Sequence, residues 1–187
     1  MQVINNPIMI VSLLVIIAMF FVNTDKIGES FYTEREIAGK SHKVYDVSSK
    51  YLPDYSNMGI LSDIFTIACL LPVFSSRKLL VEFVSYSVII FSLRSLFTNS
   101  TILPRHKSCK YNTISLGGCH DHIFSGHTAS VFLATLMYYK YNMFGINQLV
   151  VANIVNMITI LLVRYHYTVD VLLAPFIVLS VTNTIAI

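Results

Sequence analysis

Long apolar blocks separated by short polar stretches dominate the pattern of residues along this chain. They cover about residues 7–22, 58–74, 79–98, 124–144, 146–163 and 169–187. Each block is close to the roughly 17 to 25 residues that a helix needs to cross hydrocarbon. The pattern therefore predicts an all-α fold, a polytopic membrane bundle of six transmembrane helices that forms one domain over residues 1–187.

The first block, residues 7–22, has two interpretations. A secretory signal peptide also contains an apolar stretch near the amino terminus, but it has a basic start and a small-residue cleavage site. This block has neither, and no charge occurs from Met1 to Thr24. We therefore expect a retained membrane span.

Composition agrees with a membrane bundle and excludes two classes of protein. The chain is 55% apolar and 12% charged, whereas an ordinary soluble domain is about 25% charged. The 12 Phe and 11 Tyr argue against a disordered chain, which would be poor in aromatic residues. The largest predicted loop, residues 23–57, has five basic and six acidic residues, so no nucleic-acid partner is expected.

Six crossings assign each loop to a face of the membrane. The loops at about 23–57 and 99–123 and the short connection at 164–168 fall on the same face. Four ionisable residues of the spans or their ends are predicted to converge there: Asp63, Arg94, His127 and His166. Because Asp or Arg at membrane depth costs about 2.5 to 3.5 kcal/mol, such a cluster favours a functional site.

The first chemical segment precedes the fourth block and reads Ser125-Gly126-His127. Ser125 suits a helix N-cap, and Gly126 allows another group to approach the backbone closely. The amides and dipole at a helix start favour phosphate binding. His127 would then pass protons to or from an ester oxygen.

The second chemical segment, His166-Tyr167-Thr168-Val169-Asp170, follows the fifth block. On a helix, residues four apart share a face, so Asp170 can orient the His166 imidazole and stabilise its charged form. A histidine oriented in this way can attack phosphorus and form a phosphohistidine. The second histidine is then available for acid and base catalysis.

These segments resemble motifs of the type 2 phosphatidic acid phosphatase superfamily, in particular its sphingomyelin synthase-like branch. The third and fourth motifs of that branch are similar to residues 119–128 and 166–171, and the second is similar to residues 94–104. Leu52-Pro53-Asp54 resembles the first motif, so the motif-bearing region covers about residues 52–174.

The resemblance implies a six-span, metal-independent phosphotransferase that needs no cofactor. His127, His166 and Asp170 would form the catalytic triad, with a phospholipid donor and a ceramide or diacylglycerol acceptor in the membrane. The superfamily's phosphatases have an Arg where this chain has Ile160, and their upstream Lys/Arg motif is missing. Arg94, with Ser125 and Gly126, is therefore the expected phosphate-binding group.

Asp63 and Asp121 are secondary candidates that we do not assign as catalytic. Asp121 matches the acidic residue of the third motif but is equally consistent with a solvated loop carboxylate. Two cysteines of the same loop, Cys109 and Cys119, either form a disulfide or remain free thiols. His120 and His122 beside them also permit a zinc site, but their spacing matches no familiar zinc pattern, so no metal is expected.

The sidedness of the membrane protein depends on two conflicting arguments. The face with the candidate site has eight basic loop residues against three on the other face, which by the positive-inside rule favours a cytosolic site. The resemblance implies a lumenal or exoplasmic site in the Golgi, endoplasmic reticulum or plasma membrane. We expect the lumenal or exoplasmic orientation, since the acids of residues 23–57 nearly cancel the bases there.

Three functions remain open at this point. The first is phospholipid headgroup transfer, which moves phosphocholine or phosphoethanolamine onto ceramide or diacylglycerol. The second is a lipid phosphate phosphatase that uses the same triad with water as acceptor. The third is a non-catalytic membrane protein that binds lipids.

Overall fold

A computed structural model describes residues 26–34, 44–101, 103–104 and 123–185, and within these ranges the chain is helical without strands. Helix α1 covers residues 26–34. The helices that follow are α2 (Val47–Tyr51), α3 (Gly59–Leu70), α4 (Arg77–Ser100), α5 (Gly126–Lys140), α6 (Ile146–Leu162) and α7 (Thr168–Ile185). The all-α expectation is thus confirmed for the described residues.

Five of the six predicted spans coincide with helices α3 to α7. The remaining span, which is the first along the chain at residues 7–22, lies outside the described residues. Short 3-10 segments at Ser56–Met58 and Leu71–Ser75 flank α3. Together they give a helical stretch, Ser56–Ser75, that is long and apolar enough to cross a membrane, and Arg77–Ser100 meets the same criteria. The other four crossings remain predictions.

Helix α5 lies at the centre of the bundle, in contact with α3, α4, α6 and α7. Its buried residues face all directions, and both Val131 and Ala134 are completely inaccessible to solvent. At 15 residues it is about 22 Å long, which is shorter than the roughly 30 Å hydrocarbon core. The start of this central helix carries Ser125, Gly126 and His127, the first chemical segment.

The outer surface of the bundle is apolar while part of its interior is polar. Large apolar side chains on the outside of α3, α6 and α7 are about half exposed or more: Ile60, Ile64, Ile67, Val151, Ile154, Val169, Leu172 and Phe176. Inside, the buried Asn153 amide donates to Thr135 Oγ1 at 2.8 Å. An apolar exterior of this extent is expected where lipid replaces water as the solvent.

Candidate active site

His127 lies in the first turn of α5, where Ser125 forms the N-cap. The Ser125 side-chain oxygen accepts a hydrogen bond from the Thr128 backbone N–H at 3.2 Å. Ser125 is fully buried, so this cap is protected from water. The predicted helix start is therefore present, and it directs the positive end of the α5 dipole toward the region around His127.

His127 is paired with a carboxylate from another helix. Its Nε2 lies 2.8 Å from Oδ1 of Asp63 on α3. Both side chains are about one-fifth exposed, so the pair remains accessible from outside the protein. An ionised Asp63 accepts the Nε2–H, which fixes the imidazole tautomer and leaves Nδ1 of His127 for proton transfer.

His166 lies in the connection between α6 and α7, just before the first turn of α7. Its Nδ1 is 3.8 Å from Oδ2 of Asp170, a distance that fits an ion pair but is longer than a hydrogen bond. The same Asp170 oxygen accepts the Tyr167 backbone N–H at 3.0 Å. The carboxylate is thus held at the start of α7, and His166 Nε2 is the nitrogen directed away from it.

The two histidines meet at one end of the bundle. Their ring centroids are 6.5 Å apart, and the ring planes are inclined at 65° to each other. A backbone hydrogen bond from Ser125 N–H to the Asp170 carbonyl, 3.0 Å long, joins the helix starts that hold them. The structure therefore brings together two imidazoles, each beside a different carboxylate.

Arg94 lies against the turn that leads into α5. Its Nε donates to the Phe124 carbonyl at 2.9 Å, and the residue is only 5% exposed. A Cβ on Gly126 would be 3.4 Å from the Arg94 guanidinium carbon, an ordinary van der Waals distance, so the guanidinium lies directly against the start of α5. Arg94 also interacts electrostatically with Asp170, so its charge acts on the second chemical segment as well as on the first.

Two tyrosines complete the surroundings of the histidines. Tyr165 has its ring centroid 5.8 Å from that of His127, and burial together with the Asp63 carboxylate raises its pKa. The Tyr167 hydroxyl donates to the Pro104 carbonyl at 2.8 Å. Burial and the charges of Asp170 and Asp46 raise the pKa of Tyr167 to about 12, so both phenols are neutral at pH 7.

Comparison with known protein families gives one match. The family model "PAP2 superfamily C-terminal" matches residues 118–186, which include both chemical segments. The match supports the type 2 phosphatidic acid phosphatase superfamily. No curated protein and no solved structure matches the chain.

This superfamily suggests phosphatase or phosphotransferase activity on lipids. Combined with the two helices that are long and apolar enough to cross a membrane, it also suggests a membrane protein. The matched region includes His127, His166 and Asp170, whereas Asp63 and Arg94 precede it. The match supports the superfamily but does not distinguish its sphingomyelin synthase-like branch.

Several predicted features fall outside the described residues. These are Asp121, the Cys109–Cys119 pair, and His120 and His122 of the alternative zinc site. Among the residues that the structure does describe, no group of three or more His, Cys, Asp or Glu side chains is arranged to hold a metal ion.

Sequence reasoning placed Asp63 on the same face as His127 and treated it as a secondary candidate, but it did not predict that the two side chains pair. The available signal was that Asp63 is the sole charged residue within the block at 58–74. Its pairing with His127 depends on how α3 and α5 are rotated against each other, which hydrophobic periodicity does not determine. Asp46, in the loop before α2, was missed altogether.

Proposed function

We propose that this protein transfers the headgroup of a membrane phospholipid, phosphocholine or phosphoethanolamine, to ceramide or diacylglycerol. The observation that carries the proposal is the pair of histidines 6.5 Å apart, each beside its own carboxylate. One oriented histidine suits nucleophilic attack and the other suits proton transfer, which are the two tasks that transfer through a covalent intermediate requires.

In the first half-reaction, His166 Nε2 attacks the phosphorus of the donor lipid. The bond from phosphorus to the diacylglycerol oxygen breaks, and His127 supplies the proton that this oxygen takes up. Asp170 stabilises the positive charge that develops on His166. The products are diacylglycerol and a headgroup phosphate ester bonded to His166.

In the second half-reaction, the acceptor hydroxyl attacks the same phosphorus. His127, now neutral, takes the hydroxyl proton as the new oxygen–phosphorus bond forms. The phosphorus–nitrogen bond breaks and returns the electron pair to His166. His127 donates one proton and receives one in each cycle, so its protonation state is restored for the next turnover.

Phosphate binding is assigned to the start of α5 and to Arg94. The guanidinium carries a permanent charge beside Gly126, and the amides of the first turn add to it through the helix dipole. The Ser125 side-chain oxygen already accepts from Thr128. We therefore assign Ser125 an indirect role, in which it keeps the helix start in place.

A lipid phosphate phosphatase is the second candidate. The superfamily match supports it as much as it supports headgroup transfer. Water would replace the acceptor hydroxyl in the second half-reaction. The position that bears an Arg in the phosphatases is Ile160, which is completely buried and cannot contact phosphate. This substitution supports transfer over hydrolysis.

The proposal also includes a location. The apolar exterior and the six predicted spans support a multi-pass protein of the Golgi, endoplasmic reticulum or plasma membrane. The candidate site would face the lumen or the outside of the cell, where both the donor phospholipid and the acceptor reach it laterally within the membrane.

A lipid panel tests the proposal. The protein is reconstituted with labelled phosphatidylcholine or phosphatidylethanolamine plus ceramide and diacylglycerol, and separately with phosphatidate or ceramide phosphate. Label in sphingolipid that disappears in His166→Ala and Asp170→Ala supports transfer, whereas release of inorganic phosphate supports the phosphatase. If no lipid is turned over in a way that depends on His166 and Asp170, both enzyme hypotheses fail and a non-catalytic lipid-binding protein is the remaining interpretation.

A further inference from the structure

The polar segment from Asp46 to Tyr55 is hydrogen-bonded along its length to the connection between α6 and α7. Asp46 and Ser48 form hydrogen bonds with Thr168. The backbone carbonyls of Ser49 and Leu52 accept hydrogen bonds from the Arg164 side chain. The Tyr55 backbone N–H donates to the Leu162 carbonyl. These residues are more than 100 positions apart in sequence. We call this set of contacts the 46–55 clamp.

Asp46 is the centre of the clamp because its two carboxylate oxygens cap two helices. Oδ1 accepts the Thr168 backbone N–H at 2.7 Å, at the start of α7. Oδ2 accepts the Ser49 backbone N–H at 2.9 Å, at the start of α2. The Ser48 N–H returns a bond to Thr168 Oγ1 at 3.1 Å, so the two helix starts are joined reciprocally.

Arg164 is the second anchor. Its Nη2 donates to the Leu52 carbonyl at 2.5 Å and approaches the Ser49 carbonyl at 3.4 Å. The residue is 3% exposed and has φ of +61°, a conformation that is uncommon for a residue with a side chain. The buried contact to α2 stabilises this backbone turn, since a guanidinium there needs hydrogen-bond acceptors.

His166 lies midway between the two anchored residues. Arg164 is two positions before it and Thr168 two positions after it, so a guanidinium on one side and a backbone N–H on the other are bonded to the same external segment. His166 itself is 7% exposed. Small shifts of either anchor would move the imidazole relative to Asp170, which follows Thr168 in the same helical turn.

We propose that the 46–55 clamp positions His166 for in-line attack on the lipid phosphorus, with Asp46 and Arg164 as positioning residues. This inference rests on the proposed function of His166. It gives a role to Leu52 of the Leu52-Pro53-Asp54 motif, because the Leu52 carbonyl is an acceptor for Arg164. It also links the predicted extramembrane loop at residues 23–57 to the nucleophilic attack by His166.

A kinetic comparison provides the first test. Asn at position 46 keeps one acceptor oxygen but turns the second into a donor, so Asp46→Asn loses one of the two helix caps. We expect kcat per folded molecule to fall on the order of tenfold to a hundredfold, as for other small misplacements of a reacting group, with KM changed less than about twofold. Asp54→Asn is the matched control, because Asp54 is exposed and its carboxylate accepts from the nearby Ser56 N–H.

A spectroscopic comparison makes the test independent of turnover. In protein labelled with ¹⁵N-histidine, the His166 signals are assigned by their loss in His166→Gln. The clamp predicts that these signals shift in Asp46→Asn and stay unchanged in Asp54→Asn. If Asp46→Asn does not fold, Thr168→Val removes the acceptor for the Ser48 N–H and the side-chain hydrogen bond between Thr168 and Asp46, but keeps both backbone caps, and should produce a smaller shift.

The outcomes distinguish the clamp from the proposed function. Shifted His166 signals in a protein that turns over no lipid would support the clamp and overturn the enzyme. Unshifted His166 signals, or a lowered thermal midpoint with unchanged kcat, would overturn the clamp and leave Asp46 with a purely structural role.

Discussion

Asp63 Oδ1 and His127 Nε2 are 2.8 Å apart, although their residues lie on different helices and 64 positions apart. The second histidine of the site, His166, has a different carboxylate neighbour in Asp170. A separate carboxylate beside each imidazole allows the two rings to be oriented independently. This division suits a reaction in which one ring attacks phosphorus while the other transfers a proton.

The Asp63 pairing predicts an effect that depends on the leaving group. Asp63→Asn should lower kcat on phospholipid on the order of tenfold to a hundredfold, and His127→Ala by more, since positioned acid–base groups contribute about 10²- to 10⁴-fold. On a para-nitrophenyl ester of the same headgroup phosphate both losses should shrink in the first half-reaction, because nitrophenolate leaves without protonation.

His166→Ala is the control for that experiment, since a nucleophile is needed with either leaving group. First-turnover rates of para-nitrophenolate release and of phospholipid consumption by the same preparations give the comparison, because the second half-reaction needs His127 with either substrate. Equal losses on both substrates in Asp63→Asn would contradict a role for Asp63 in proton transfer.

Arg94 is predicted to bind phosphate through a guanidinium whose orientation is fixed by its hydrogen bond to the Phe124 carbonyl. Arg94→Ala should reduce kcat/KM at least a hundredfold, and Arg94→Lys should recover only part of it because Lys lacks the Nε–H that donates to the Phe124 carbonyl. The exposed Arg77 at the other end of α4 is the matched control, and Arg77→Ala should leave kcat/KM unchanged. Full recovery in Arg94→Lys would show that charge alone is sufficient.

Gly59 is predicted to be intolerant of a side chain. A Cβ there would lie 2.7 to 2.8 Å from carbon atoms of the Tyr165 ring, which is packed beside His127. Gly59→Ala should displace this ring, lower activity and cost about 1 to 3 kcal/mol of stability, as overpacking does elsewhere. Thermal midpoints and rates should stay near wild type in Gly145→Ser, where the added atoms meet the flexible end of Gln148.

Asp46 predicts a dependence of stability on pH. Burial disfavours its charge, but hydrogen bonds from Ser48, Thr168 and Ser49 outweigh this and hold the pKa of the carboxyl well below its usual range. Such a group stabilises the fold fully above its unfolded pKa of about 3.9, and the stabilisation is lost as pH falls toward the folded pKa.

Thermal midpoints of wild type, Asp46→Asn and Asp54→Asn between pH 3 and pH 7 measure this contribution. Asp46→Asn should be less stable than wild type near pH 7, and the difference should narrow as pH falls below about 4. A difference that stays constant across this range would contradict a charged Asp46 in the fold.

The positions of helices α3 to α7 were largely predictable because blocks of apolar residues are sufficient to locate them, whereas α1 and α2 lie in the predicted loop at residues 23–57. The end of α5 was not predictable, since the predicted block continues to Phe144 whereas the helix ends at Lys140. Residues Tyr141 to Phe144 form a turn in which the Met143 N–H bonds to the Tyr138 carbonyl. Phe144 packs against the Tyr138 ring, and hydropathy does not distinguish such an apolar turn from a helix.

The candidate site was predictable only in part. The N-cap at Ser125 and the close approach of His166 and Asp170 follow from local spacing, although His166 lies before α7 rather than on it. The contacts of Asp63 and Asp46 join segments that are far apart in sequence. They depend on helix rotation and on loop packing, which a single sequence does not encode in its periodicity.

The central claim is that His166 carries the headgroup between donor and acceptor. The most direct measurement incubates the protein with headgroup-labelled phospholipid in the absence of acceptor, followed by mass spectrometry of peptides under conditions that preserve phosphoramidates. We predict a headgroup phosphate adduct on His166 that disappears on addition of ceramide or diacylglycerol and is absent in His166→Ala. An adduct on His127, or labelled product formed by His166→Ala at the wild-type rate, would contradict this account.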